Sequence, residues 1–383
     1  MPKLIVFCAD GTWNAPDQDD DRDREPDPTN VYKLFLGLSG TLSGDSIRDA
    51  DEQEKELLED SRTLQVAKYI HGVGDSRNAI SSLMGGAFGA GIISRIVRGY
   101  TFISRSYESG DDIVVVGFSR GAYTARALAG LIASQGLLAK SLTADKTEAY
   151  RWGAKAWYRY RKQSISNKAG LLQRLAEAAA DLPAFLSSDE IKDGNLVAVE
   201  QIKAVAVWDT VGAMGLPRYV DDRRADAFRF TDTRLSPKVE RGFHAVALDE
   251  QRVDFSPTLW DARINVTQML FPGAHADIGG GYSRKNNESG LSDIALGWMA
   301  GQLQGVGVRF TQPIYVPFQP DCKGTAHKPW RHPPFSVLGK AEPRDLKGGG
   351  IQEHLSIKER MDAGPVVSEP GEPPAAYVPA NRG

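Results

Sequence analysis

Cysteine is nearly absent: the 383 residues hold two, Cys8 and Cys322, which excludes a disulfide framework. Cys8 lies inside an apolar run and reads as a small core residue. Long hydrophobic runs are missing too, and none approaches the length of a membrane span. Leu4–Cys8 is too short for the apolar region of a signal peptide, so the expectation is cytoplasmic synthesis without a cleaved leader. A large charge of either sign is also lacking. The formal net charge of −3 gives no footing for nucleic acid. What remains is an ordinary globular composition, 41% hydrophobic and 25% charged, long enough to bury a sizeable core.

Two further patterns fall short of a site. Asp17 to Asp27 is acidic but lacks the alternating oxygen ligands and closing Glu of a calcium loop, so it reads as solvated. Leu83 to Val97 is rich in glycine (Gly85, Gly86, Gly89, Gly91), yet no Gly-Lys-Ser/Thr follows. A closely packed helix or loop is expected there, with no nucleotide cofactor.

Against these absences stands Gly117-Phe118-Ser119-Arg120-Gly121-Ala122-Tyr123-Thr124-Ala125-Arg126. It follows the β-branched run Ile113–Val116 and leads into an Ala/Leu-rich helical stretch. The pattern is strand, sharp turn, helix, with a serine at the turn and glycines two residues to either side. Such an elbow holds a hydroxyl at the end of a sheet, with the next N–H, that of Arg120, aimed at an oxyanion.

A serine needs a base, and the base needs a carboxylate to fix its tautomer. In hydrolases of this build the chain order is Ser, acid, His. That order leaves His244, His275, His327, His332 and His354, and discards His71. His275 follows the strand-like Val266–Phe271 through Pro272-Gly273 and precedes a turn-prone loop, so it is the preferred base. Asp209 ends the strand-like Ala204–Trp208 and is the preferred acid over Asp249, Asp254, Asp261 and Asp277. The turn Asp10-Gly11-Thr12 ends the first strand; the N–H of Gly11 or Thr12 is expected to supply the second oxyanion donor, with Asp10 bracing the loop. A metal hydrolase built on Asp10, Asp209, His275 and Asp277 is the enzymatic rival, and a silent hydrolase-like binding protein the non-enzymatic one.

The expected fold is α/β: a mainly parallel sheet with helices on both faces, in one domain over 1–383. Strands are expected at Leu4–Cys8, Leu196–Val199, Ala204–Trp208, Phe243–Leu248 and Val266–Phe271, and a helix with Val31, Leu34, Phe35 and Leu38 on one face, capped by Thr29 or Asn30. Residues 138–195 read as a helical cap-like or lid-like insertion with a basic aromatic stretch, Arg151 to Lys162. Transient membrane contact through that stretch is the rival to simple packing. Residues 311–383 read as a Pro/Gly-rich segment packed on the domain.

Several motifs in order resemble one family: Asp10-Gly11-Thr12-Trp13-Asn14, Gly72-Val73-Gly74, the decapeptide at Gly117, Trp208-Asp209-Thr210-Val211-Gly212, His244 to Glu250, and Gly273 to Tyr282. His354 to Arg360 and Tyr377-Val378-Pro379-Ala380-Asn381 fit as well. The resemblance is to the uncharacterised α/β-hydrolase family that includes the catalytic domain of type VI secretion phospholipase effectors. It implies a Ser–Asp–His esterase with those roles on Ser119, Asp209 and His275 and no cofactor. For the effector branch it implies glycerophospholipid acyl esters as substrate, export independent of a signal peptide, and an immunity or secretion-apparatus partner. A small-molecule carboxylesterase is the alternative within the same chemistry.

Overall fold

Alternating side chains of β-branched strands need apolar partners on both faces, and the chain supplies them. The computed structural model describes residues 2–11, 25–45, 52–72, 87–164, 182–211, 234–312, 318–379 and 381, and the statements below concern these. The central strands are β1 (Leu4–Ala9), β2 (Thr41–Leu42), β3 (Glu52–Glu59), β4 (Arg62–Ile70), β5 (Asp112–Phe118), β6 (Ile202–Trp208), β7 (Val239–Ala247), β8 (Val266–Phe271) and β9 (Gln352–Glu353). They form a nine-stranded sheet in the order β9-β8-β7-β6-β5-β1-β4-β3-β2. All pairs from β9 to β4 are parallel, and β3 and β2 add an antiparallel edge.

Ile5, Phe7 and Ala9 of β1, with Ile113 and Val115 of β5, face α2 (Ala87–Ser106), α3 (Arg120–Gln135) and α4 (Lys146–Ser164). The intervening residues, Leu4, Val6, Cys8, Val114, Val116 and Phe118, face α1 (Asn30–Gly37) and α6 (Gly290–Gly305). Period-two alternation thus builds one core on each side of the sheet. A third cluster joins Val246, Leu248 and Leu270 to Ile357 of α7 (Leu355–Asp362), Val366 and Tyr377.

The chain order makes β1 the switch point: it leads to β2–β4 on one side, and then β5–β9 extend on the other. Ligand crevices of open α/β sheets form at such points, outside the carboxyl ends of the strands. Asp10 and Ser119 each follow one of the two strands there.

Several expectations need adjustment. Leu196–Val197 pairs antiparallel with Leu137–Leu138, outside the central sheet, because both stretches flank the helical insertion and meet locally. The β3–β4 hairpin was not anticipated, since Glu52, Glu54, Lys55 and Glu56 hide its periodicity. Its charges are matched instead: Lys68 meets Glu52 at 2.7 Å and Glu54 at 3.1 Å. Lys55 donates to the carbonyls of Phe35, Leu36 and Leu38, the open end of α1. In the insertion, Trp157 and Tyr158 of α4 are buried and its cations pair: Arg159 with Asp193 at 2.9 Å, Lys162 with Asp189 at 3.0 Å. The acidic loop up to Arg24, Val73–Gly86, residues 165–181 and Gly212 lie outside the described residues.

Steric demand at the elbow is severe. A Cβ on Gly121 would lie 2.1 Å from Ala9 O, and one on Gly117 would lie 2.3 Å from Gly121 O. Gly121→Ala is expected to cost about 2–3 kcal/mol by forcing α3 off β1. Gly301→Ala, at an open position of α6 with nothing within 4 Å, is expected to gain up to about 1 kcal/mol. Paired denaturant melts check both signs, and equal effects would refute the steric account.

Candidate active site

Ser119 sits at φ 56°, ψ −121°, a left-handed conformation rare outside glycine. The strain is held by Ser119 N–H donating to Trp208 O at 3.1 Å and by α3 beginning at the next residue, Arg120. Ser119 Oγ lies 2.8 Å from His275 Nε2, and His275 Nδ1 lies 2.6 Å from Asp209 Oδ2. Three side chains separated by up to 156 positions thus form one hydrogen-bonded line. His275 opens a short helix, α5 (His275–Gly279), directly after β8 and its Pro-Gly turn. Its ring packs between Phe118, with centroids 4.6 Å apart, and Phe255, edge-on at 4.9 Å.

Asp209 ends β6 with φ 34° and is fully buried. Its Oδ1 accepts from Ala247 N–H at 3.0 Å and from Arg344 Nη1 at 2.8 Å; its Oδ2 accepts from Arg344 Nη2 at 2.8 Å and faces His275. Burial alone would raise its pKa, but the Arg344 guanidinium overrides burial and holds the carboxyl well below the usual range. Burial lowers the His275 pKa from its ordinary 6.5 and outweighs the opposing pull of Asp209, so the imidazole is neutral at pH 7. Arg344 is the residue that sequence reasoning missed. It lies in an irregular Pro/Gly-rich stretch where no periodicity or motif marks it.

The other expected positions are placed as follows. Asp10 is buried and accepts from Gly11 N–H at 2.7 Å, Thr29 Oγ1 at 2.8 Å and Tyr69 OH at 2.8 Å. Burial still raises its pKa to about 6 against those donors. This is the bracing arrangement in geometric terms. The same bond occupies the Gly11 N–H, one of the two expected oxyanion donors. Gly11 packs on Phe118 and Ser119, whereas Thr12 lies outside the described residues.

His244 is buried in β7, accepts from Thr210 N–H at 3.1 Å, and has its pKa pushed down to about 3 by burial. His327 faces Asp277 at 2.7 Å and stacks on Tyr282. His332 pairs with Glu369 at 2.6 Å, and His354 caps α7. The four residues of the metal alternative do not converge: Asp10 is braced by its neighbours, Asp209 by Arg344, and Asp277 by His327 and Ala274 N–H. Among the described residues no group of three or more His, Cys, Asp or Glu is arranged to hold a metal ion. Among them, too, no helix is long and apolar enough to cross a membrane.

The second carboxylate–imidazole pair generates a stability prediction. Burial opposes charge on His327, but Asp277 and Glu288 prevail and raise its pKa to about 9. A raised pKa stabilises the fold fully below the unfolded value of 6.5 and loses that contribution as pH rises through about 9. The melting temperature of the wild type should therefore fall towards that of His327→Gln between those two values. A gap that is constant with pH would refute a charged His327.

Residues 3–302 match the family described as T6SS, Phospholipase effector Tle1-like, catalytic domain. The chain is 30% identical over 271 residues to the uncharacterised protein YEL023C of Saccharomyces cerevisiae, a match covering 66% of this chain and 32% of that protein. Among solved structures it is similar to an uncharacterised protein from Pseudomonas aeruginosa, with TM-score 0.44 and 17% identity over 84% of this chain and 49% of that one. It is also similar to the Tle1 effector bound to the VgrG spike of the type 6 secretion system, with TM-score 0.35 and 16% identity over 74% of this chain and 52% of that one. The chain spans from about a third to about half of the length of these relatives. By the extent of the family match, the chain belongs to the Tle1-like phospholipase effector catalytic domain family of type VI secretion.

Proposed function

We propose that this chain is a serine hydrolase of α/β-hydrolase build that cleaves acyl esters of glycerophospholipids. The observation that carries the reading is the line Ser119 Oγ–His275 Nε2–His275 Nδ1–Asp209 Oδ2, with its serine on a strained elbow at the sheet's switch point. Family membership supplies the lipid ester.

Neutral His275 takes the Ser119 proton on Nε2 as Oγ attacks the acyl carbonyl. Asp209 keeps the proton on Nδ1 and stabilises the imidazolium. The oxyanion is held by the Arg120 N–H at the start of α3 and by a backbone N–H of the turn after Asp10, that of Gly11 or Thr12. Collapse expels the alcohol, the lysophospholipid, which takes the proton from His275. Water then loses a proton to His275, attacks the acyl-enzyme, and releases the fatty acid and the serine. The sequence of steps requires no metal or organic cofactor.

We read residues 1–383 as one domain with the helical insertion 138–195 and the segment 311–383 packed on it. Family membership supports the secretion apparatus as the partner class.

Fluorophosphonate labelling of the folded protein should modify Ser119, and Ser119→Ala should abolish the label and lower turnover by roughly four to six powers of ten. Unlabelled wild type should release fatty acid from phospholipid vesicles, and labelling of Ser119 should stop that release. Release from short-chain esters alone would move the reading to a small-molecule carboxylesterase, and folded wild type that takes no label would end it. Because the His275 pKa is lowered, the neutral base persists on acidification. The acid limb of kcat/KM should then lie below 6.5, and a limb centred at 7 or above would count against His275 as the buried base.

A further inference from the structure

Resting on the serine-hydrolase reading, we propose that Arg344 is a positioning residue that acts through Asp209. Its fork aims the carboxylate at His275 and keeps it ionised, so that the reactive centre is completed by a segment beyond residue 302. The matched family region ends at 302, and Arg344 lies 135 positions from its partner.

The geometry leaves little slack. Nη1 donates to Asp209 Oδ1 at 2.8 Å and to Ala247 O at 2.9 Å, while Nη2 donates to Asp209 Oδ2 at 2.8 Å and to Phe255 O. Every Nη hydrogen has a target, and the two bonds to Asp209 fix the plane of the carboxylate. With Ala247 N–H and His275 Nδ1 in place, both oxygens have two partners each. The carbonyl anchors matter as well, since Ala247 ends β7 and Phe255 carries the ring set edge-on to His275.

Arg344 itself is held by its segment. Glu342 N–H donates to Gln251 O at 2.8 Å, Val253 N–H to Lys340 O at 3.1 Å, and Arg344 N–H to Asn381 Oδ1 at 3.0 Å. Asn381 Nδ2 in turn donates to Leu248 O and Glu250 O. The strand-like run 340–344 is thus laced to the loop after β7.

The need is electrostatic. A carboxylate in this dry position would otherwise gain a proton, and a neutral acid can no longer hold the Nδ1–H tautomer. A guanidinium cannot surrender its charge under any working condition, so the pairing holds across the pH range of the enzyme. The charged groups around His275 are Asp209 and Arg344 from β6 and the C-terminal segment, and the Glu250–Arg252 pair from the loop after β7. Removing the Arg344 charge lets the Asp209–His275 pair take up a proton more readily, so the pair as a whole titrates at higher pH.

The test follows the second-order rate of fluorophosphonate labelling at Ser119 from pH 5 to 9, with melting curves as the check on folding. Arg344→Gln should slow labelling about tenfold to a hundredfold, the scale at which groups behind a reacting residue act. Its acid limb should rise by about one pH unit, the effect of a charge lost within a few ångströms. Arg344→Lys should retain part of the rate and a limb near that of the wild type. In an Asp209→Asn background, Arg344→Gln should add no further loss. A folded Arg344→Gln with the wild-type rate and limb would overturn the proposal, as would a full additional loss in the Asp209→Asn background. If Arg344→Gln does not fold, Arg344→Lys decides: slower labelling at a wild-type melting temperature upholds the role of the fork, and an unchanged rate overturns it. Wild type and Arg344 variants labelled at Ser119 at equal rates end this proposal and leave the hydrolase reading standing; unlabelled wild type removes both.

Discussion

Asp209 carries its charge without contact with solvent, and much of the architecture around it answers that fact. Desolvating a carboxylate costs several kcal/mol even after relaxation, and only close opposite charge with well-directed hydrogen bonds offsets it. The sheet contributes one donor, Ala247 N–H, because β6 and β7 run parallel and in register. The loop after β8 contributes His275, and the C-terminal segment contributes the guanidinium. None of the three contacts is local in sequence. A buried charge of this kind ties β6, β7, the β8 loop and residues 340–344 to one arrangement.

A second set of bonds does the same for the other side of the crevice. Thr29 caps α1 with its hydroxyl while donating to Asp10, and Tyr69 reaches the same carboxylate from β4. Asn30 Nδ2 donates to Ile278 O at 2.8 Å and to Ser292 O at 2.7 Å, joining α1 to α5 and α6. Asp10 and Gly11, the first turn of α1 and the helix bearing His275 are therefore tied together by hydrogen bonds. Preorganisation of that kind is what an acyl-transfer centre requires, since donors that must reorganise during reaction stabilise less charge. Phe118 and Phe255 add shape to it by confining the imidazole between two rings.

The strand–turn–helix around Ser119 was legible because β-branched alternation, two glycines and an alanine-rich helix leave one local solution. Asp209 and His275 were legible for a related reason: each follows an apolar run at the point where turn-forming residues begin. Positions fixed by partners far away in sequence left no such mark. The β3–β4 hairpin looks too charged for a strand until Lys68, Lys55 and the carbonyls of α1 are seen to match it. The bond from the Gly11 N–H back to the carboxylate of Asp10 had no sequence signal either. Arg344 had no local pattern at all, and only the folded chain reveals which carboxylate it faces.

The placement of Arg344 has a consequence in time. A chain made from its N-terminus at about 5–20 residues per second holds Ser119, Asp209 and His275 well before residue 344 has been added. During that interval the sheet can form through β8, but the carboxylate at the end of β6 has no guanidinium to balance it. The balancing charge is thus in place only once the segment around 340–344 docks beside residues 251–253. Synthesis itself separates folding of the scaffold from the arrival of the charge that balances Asp209.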